Sequence, residues 1–501
     1  MAHLAVAYVV SRVGRGPVTR TETGERIFIA GTWVRSSSGT RIDARSPVTE
    51  ELIGSVAAAS RADVDAATAA ARHCLDDTGW TTLTPSERAA IVAPLSAALL
   101  GGAEALAQLV TAEIGCPITF SRAFHVPGAA MIVDYFTDLA HSTWWEQRRP
   151  GFAGDTLVSR EPVGVVAAVL PWNLPLMSMV VKLVPALIAG CSVIVKAAPE
   201  NALCASTLAG LIEELDLPPG AVSVLVADRE VSEHLISDRR VDKVAFTGST
   251  ATGKRILEIC ARDVRRSTME LGGKSSAIVL DDADVESTVA GLIAGGMTQS
   301  GQMCVAQQRV LVPRRLEHEI REALIDRVSH LRVGDPVDEA TDLGPLVAAR
   351  QRDRVERLLH RAVQEGAKVL VGGGRPPEHP RGWFVEPTVL DAVTPDMTIS
   401  REETFGPVLA LTTYSDEDAA VAMANDSDFG LSGRVWTSDP DRGLGVARRL
   451  RTGTCGVNDA SVSFNAPFGG FKQSGLGREL GPEGMEAFVE YRSIAVPARP
   501  A

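Results

Sequence analysis

The chain has 501 residues, a formal net charge of −12 and 45% apolar residues. That length exceeds what one hydrophobic core serves and predicts two large domains with an accessory element. The acidic balance excludes a nucleic-acid surface, since basic residues occur only in isolated pairs such as Arg239-Arg240, Arg265-Arg266 and Arg314-Arg315. Seven cysteines without a Cys-x-x-Cys, and nine histidines without metal-site spacing, exclude a disulfide frame; reduced thiols, a cytoplasmic setting and no metal are expected.

Along the chain, the apolar run Leu4 to Val10 has no basic residue before it, so a secretory signal is not expected. Arg12, Arg15 and Arg20 precede the first acid, Glu22, and leave a transit-peptide reading open. A long amphipathic series from Arg61 to about Ile114 reads as helical, with Thr84-Pro85-Ser86-Glu87 as a helix start. Pro162 to Val181 carries no charge over 20 positions, the length of a membrane span, but Pro171, Asn173 and Pro175 interrupt it. A buried strand, a loop and a helix start fit that segment, and no membrane association is expected.

From Val163 onward, short β-branched runs alternate with helical stretches, the pattern of a parallel sheet covered by helices. Strands are predicted over Val163–Val169, Ser192–Val195, Val222–Val226 and Lys243–Phe246, with helices over Leu176–Ala189 and Ala202–Leu215. This is a Rossmann-like half, and its last strand runs into Gly248-Ser249-Thr250-Ala251-Thr252-Gly253. A second α/β series follows: strands Ala277–Leu280, Arg309–Val312, Lys368–Val371 and Val408–Thr412, with helices up to about Gln299 and over Leu316–Val328. Gly372-Gly373-Gly374 reads as a surface turn, because no phosphate-binding helix follows it.

Two segments carry chemistry. Cys304, in Gln299-Ser300-Gly301-Gln302-Met303-Cys304, lies 34 residues after Glu270, in Met269-Glu270-Leu271-Gly272-Gly273-Lys274-Ser275. A thiol and a carboxylate beside glycines are the parts needed to form and hydrolyse a thioester, and a Glu between apolar neighbours is poorly explained as a solvated charge. A lone cysteine is more often a small buried hydrophobe; here the neighbours weigh against that.

These segments, together with Pro171-Trp172-Asn173-Leu174-Pro175, Phe246-Thr247-Gly248-Ser249-Thr250, Glu402-Glu403-Thr404-Phe405-Gly406-Pro407, Pro467-Phe468-Gly469-Gly470 and Gly477-Arg478-Glu479, resemble the motifs of the aldehyde dehydrogenase superfamily, in family order. The resemblance spans about Glu25 to Val496. It implies an NAD(P)-dependent, acid-forming enzyme with Cys304 as nucleophile, Glu270 as base, Asn173 as oxyanion donor and Lys182 as an electrostatic aid to the base. The cofactor contacts it implies are Leu170, Pro171, Trp172, Lys196, Pro199, Glu200, Gly248, Ser249, Leu271, Glu403 and Phe405. NAD is the expected cofactor, with NADP as the alternative, because Pro199 stands where many NAD-preferring relatives carry Glu and the acid moves to Glu200; the cleft rim near Ser232 also departs from the pattern.

The implied plan is an α/β fold: an extension (1–24), a cofactor domain (25–144 and 163–272), a catalytic domain (273–480) and a small β oligomerisation element (145–162 and 481–501). A homodimer or homotetramer is the implied assembly. Leu174, Met177, Ser178 and Val181, with Met297, Gln299, Met303 and Val305 beside the nucleophile, suggest an adaptable apolar tunnel without aromatic or basic specificity residues, hence a medium or large hydrophobic aldehyde. The competing readings are a coenzyme A-acylating enzyme, which Glu270 opposes, and a catalytically silent binding or structural member, which Cys304, Glu270, Asn173, Lys196 and Glu403 together oppose.

Overall fold

Strands that are apolar on both faces need helices on both sides of their sheet. Val165–Val169 and Val222–Val226 are buried at every position. The computed structural model, which describes residues 23–461 and 463–497, places both inside an eight-stranded sheet. Its order is Thr32–Arg35, Arg26–Ile29, Val222–Val226, Ser192–Ala197, Val165–Val169, Lys243–Thr247, Arg266–Glu270 and Gly475–Leu476. The strands from Val222–Val226 to Arg266–Glu270 run parallel, and the flanking pairings are antiparallel.

The chain builds from Val165–Val169 outward through Ser192–Ala197 and Val222–Val226, then returns to the other side with Lys243–Thr247. This reversal opens a crevice at the carboxyl ends of Val165–Val169 and Lys243–Thr247, where doubly wound sheets take dinucleotides. The Rossmann-like expectation is met, with strand ends shifted by one or two residues.

A second, seven-stranded sheet starts at Ser275, directly after Leu271–Lys274. Its order is Lys368–Val371, Thr388–Asp391, Val408–Tyr414, Gln307–Pro313, Ser275–Val279, Gly433–Trp436 and Gly456–Val457, parallel except at the first strand. Residues just before these strands, among them Gly272, Cys304, Phe405 and Ser432, share one cleft with the carboxyl ends of the first sheet. A three-stranded antiparallel sheet joins Glu146–Gly151, Gly154–Pro162 and Val489–Val496. The run Leu4 to Val10 and Arg12, Arg15 and Arg20 lie outside the described residues, as does all but the end of the 1–24 extension.

The amphipathic series is helical as expected and divides into four helices, Arg61–Asp77, Pro85–Val92, Pro94–Gly101 and Ala103–Ile114. Pro94 cannot donate a backbone hydrogen bond, and Gly101-Gly102 weakens the helix where the next break falls. The start at Thr84 is a reciprocal cap, Thr84 with Glu87. Helix Val126–Ser142, preceded by a π turn over Ser121–His125, was not predicted. It packs against Pro175–Ala189, a helix buried along its whole length and ended by Gly190 at φ 99°. Among the described residues, no single helix is long and apolar enough to cross a membrane.

One buried acid ties this framework to the crevice. Both oxygens of Glu113 accept backbone N–H groups at the start of helix Ala202–Glu213, from Leu203 at 2.6 Å and Cys204 at 2.9 Å. Just before that helix, the Asn201 side chain donates to the Pro171 carbonyl at 3.0 Å. Burial outweighs the two N–H groups and pushes the Glu113 carboxyl up to about 7. A raised pKa means that its stabilising contribution is full below the unfolded carboxylate value and is lost as pH rises through about 7. Melting temperature should therefore fall more steeply between acid and neutral pH for wild type than for Glu113→Gln; parallel curves would show that Glu113 does not titrate in the folded protein.

Candidate active site

The side chains expected at the site come from element ends and the turns beside them, except Lys182, which lies in the middle of helix Pro175–Ala189. Val165–Val169 stops at Leu170 because Pro171 and Pro175 bracket a stretch that cannot continue a strand or begin a helix earlier. Asn173, 5% exposed, sits in this stretch; its Nδ2 donates to the Gln302 carbonyl at 3.1 Å, leaving the second amide N–H for another acceptor.

Helix Val285–Met297 runs into the turn Thr298–Gly301, where Gln299 and Ser300 hold φ 53° and 55° and Gly301 holds φ 70°. A side chain at 301 would meet the Gly406 carbonyl at 2.1 Å, so the turn requires glycine there. The chain then delivers Cys304 to the cleft wall immediately before Gln307–Pro313. Glu270 ends its strand on the cleft floor, 2% exposed, and its Oε1 has no hydrogen-bond partner among the described residues.

The electrostatics follow from burial. Desolvation first, then the Glu479 carboxylate, holds Glu270 well above the usual carboxylate range, with Lys182 opposing. Burial and the Glu270 and Glu403 carboxylates hold the Cys304 thiol well above its ordinary value. Lys182 lies behind the cleft wall, 1% exposed, with Nζ 2.5 Å from Glu479 Oε1 and donating to Thr247 Oγ1 at 2.6 Å. Lys274, from the Glu270 segment, is buried against Thr404 Oγ1 at 2.9 Å, and desolvation pushes its ammonium down to about 7.

The cleft, about 1180 Å³, is also lined by Pro171, Trp172, Gly248, Ser249, Leu271, Glu403 and Phe405. Ser249 caps helix Thr250–Arg262, whose amino end offers N–H groups to an anion. A Cβ at 248 would lie 2.5 Å from the Phe246 ring, so glycine lets the backbone pass there. Glu403 accepts the Gly273 N–H at 2.9 Å, and the Trp172 and Phe405 rings meet edge to face at 5.5 Å. Lys196, Pro199 and Glu200 lie outside this wall. Burial pushes Lys196 down to about 8, and Glu200 is engaged by Arg350 instead. An anion-accepting helix start, a lysine with two nearby carboxylates but no ion pair among the described residues, and Glu403 form a donor set that fits a dinucleotide.

Leu170 packs in the hydrophobic core, and its backbone N–H donates to the Lys196 carbonyl. Two expectations about the tunnel need correction. Met297 is part of the core of the second sheet and Gln299 is a fully buried strut, so neither lines a tunnel. The wall does contain aromatic and basic side chains, namely Phe124, Phe464, Phe468 and Arg434. Ser232 sits in the first turn of helix Arg229–Ser237, bonded to the Asp228 carbonyl. Glu479 had been seen only as part of a motif; the signal that identifies it is Lys182, since a buried lysine needs a counter-charge.

A family model described as the aldehyde dehydrogenase family matches residues 33–494. Geranial dehydrogenase of Castellaniella defragrans is 42% identical over 471 residues, covering 94% of this chain and 98% of its own. The crystal structure of a Mycobacterium tuberculosis aldehyde dehydrogenase complexed with NAD+ is 41% identical with a TM-score of 0.94, covering 95% of this chain and 99% of that one. A mutant aldehyde dehydrogenase C from Pseudomonas syringae, complexed with NAD+ and octanal, is 36% identical with a TM-score of 0.93, covering 96% and 98%.

The Lys182–Glu479 pair makes a sharp energetic test. Glu479→Ala leaves a buried ammonium uncompensated and should cost about 3–5 kcal/mol in urea denaturation. Adding Lys182→Met should recover a large part of that loss; equal losses in the single and double variants would show that the pair is not coupled.

Proposed function

Because the chain belongs to the aldehyde dehydrogenase family, we propose that it oxidises a medium or large hydrophobic aldehyde to the free carboxylic acid with NAD+, through a thioester on Cys304. The observation that carries this reading is that Cys304, Glu270 and Asn173, far apart in sequence, line one cleft with the candidate cofactor residues.

In this reading the Cys304 thiol gives its proton to water in the cleft, and the sulfur adds to the aldehyde carbon. The carbonyl electron pair moves onto oxygen, where the free Asn173 N–H and the Cys304 backbone N–H stabilise it. Glu403 and Phe405 would hold a nicotinamide, which would supply the acceptor for the hydride that leaves the same carbon. Cys304 then carries an acyl thioester. Glu270, its proton released to the cleft, takes one from water; the water oxygen adds to the acyl carbon, the C–S bond breaks and the acid leaves. Lys182 and Glu479 set the field in which Glu270 changes charge.

Met177, Leu174, Val181, Phe124 and Phe464 in the wall support an apolar substrate. Free Glu270 opposes the acyl-transfer alternative. Arg350 occupies Glu200, which keeps NADP+ as a second acceptor to compare with NAD+. The small antiparallel sheet, with exposed Phe152, Tyr491 and Ile494, suits an oligomerisation element of a homodimer or homotetramer, and the free cysteines suit the cytoplasm.

Absorbance of reduced cofactor tests the mechanism. Octanal and geranial should turn over in wild type and not in Cys304→Ala. Glu270→Gln should keep a first-turnover burst while steady-state kcat falls about 10²–10⁴-fold. Asn173→Ala should lower kcat about 10²–10³-fold. Because Glu270 and Cys304 are both raised, the rising limb of the wild-type pH–rate profile should lie well above the ordinary carboxylate range. Faster turnover of short charged semialdehydes would sink the hydrophobic assignment, and a Glu270→Gln variant without a burst would sink the division of roles.

A further inference from the structure

Behind the cleft, one π turn serves two places at once. Within Ser121–His125 the wider turn sets Phe124 in the cleft wall and directs its neighbour His125 into the interior, where it is fully buried. His125 Nε2 lies 3.0 Å from Gln299 Oε1. Gln299 Nε2 donates to the Asn173 carbonyl at 2.6 Å, so the oxygen end of this amide must face His125. The imidazole therefore carries its proton on Nε2, and its buried Nδ1 has no partner among the described residues. Phe120 and Phe124 meet the ring edge-on, at centroid distances of 5.7 and 6.3 Å.

Gln299 is one of two successive non-glycine residues in the left-handed region, a backbone state that persists only where surrounding contacts hold it. Those contacts close a ring around the nucleophile turn. Ser300 Oγ donates to the Gly344 carbonyl at 2.6 Å, and Gln302 Oε1 accepts the Val347 N–H at 3.0 Å. The Gln302 carbonyl accepts Asn173 Nδ2, and Gln299 returns to the Asn173 backbone. The Asn173 loop and the Cys304 turn are thus bound to each other through Gln299, and His125 holds the far end of Gln299.

We propose that His125 is a positioning residue: acting through Gln299, it sets the spacing between the oxyanion donor Asn173 and the nucleophile Cys304, and the π turn links that spacing to the Phe124 wall of the substrate cleft. This rests on the roles assigned above to Cys304 and Asn173.

The test uses the full chain and three variants. His125→Phe keeps a ring and removes the donor. His125→Gln keeps an N–H near the Nε2 position. Gln299→Glu keeps the acceptor for His125 and removes the donor to Asn173. For each, kcat, the KM for NAD+ and octanal, and the rate of Cys304 alkylation by iodoacetamide are measured.

His125→Phe and Gln299→Glu should lower kcat about 10–100-fold and change the alkylation rate, with the KM for NAD+ within about twofold of wild type. His125→Gln should return kcat to within about threefold of wild type. Unchanged kcat and alkylation in His125→Phe would overturn the proposal. So would a loss of kcat with a parallel rise in the NAD+ KM in all three variants, since that pattern marks general structural damage. If wild type turns over no aldehyde, the proposed function fails, while the alkylation rates still decide whether His125 positions the turn.

Discussion

The four-residue link Leu271–Lys274 constrains everything else in the molecule. It joins the last parallel strand of one sheet to the first strand of the next, so the carboxyl edge of the first and the amino edge of the second must face each other. No side chain larger than hydrogen fits at 273, where a Cβ would come within 2.7 Å of the Cys304 carbonyl, and a Cβ at 272 would displace the Glu403 carboxylate, 2.6 Å away. The link therefore draws Glu270 at its start, the Cys304 turn beside its middle and Glu403 against its glycines into one cleft.

That convergence gathers charge away from water. Glu270, Glu403 and Glu479 share the neighbourhood with Lys182 and Lys274, and three of these five, Glu270, Lys182 and Lys274, are nearly inaccessible. Such a cluster is a poor route to stability, since desolvation cancels most of the attraction between buried ions. Its effect is on titration: it holds the Glu270 carboxyl and the Cys304 thiol well above their ordinary ranges. The scaffold holds the cluster by hydrogen-bonding what it does not need to titrate, Lys182 to Thr247 and Lys274 to Thr404.

Regular elements and motif residues were legible in the sequence where one local signal settled them. Val222–Val226 and Lys368–Val371 were delimited correctly because β-branched runs bounded by turn residues admit little else. The Arg61–Ile114 series was legible as helical with its start at Thr84, but its inner breaks at Pro94 and Gly102 were not, because an amphipathic period is blind to them. Met297 and Gln299 were misplaced for a related reason: nearness in sequence to Cys304 does not tell which side of a turn faces the cleft. The left-handed pair Gln299–Ser300 reverses the chain there, and no residue type announces it.

By itself the sequence determined the α/β architecture and singled out Cys304, Glu270 and Asn173 as the candidate nucleophile, base and oxyanion donor, because those readings depend on residue type and short spacing. Tertiary structure alone decided which residues accompany them. Glu479 meets Lys182 from nearly 300 positions away, His125 reaches Gln299 through a π turn, and Phe124 and Phe464 close on one cleft from separate helices and loops. These pairings arise from the burial of charge and the packing of sheet edges, which act between residues distant in the chain and leave no local trace in it.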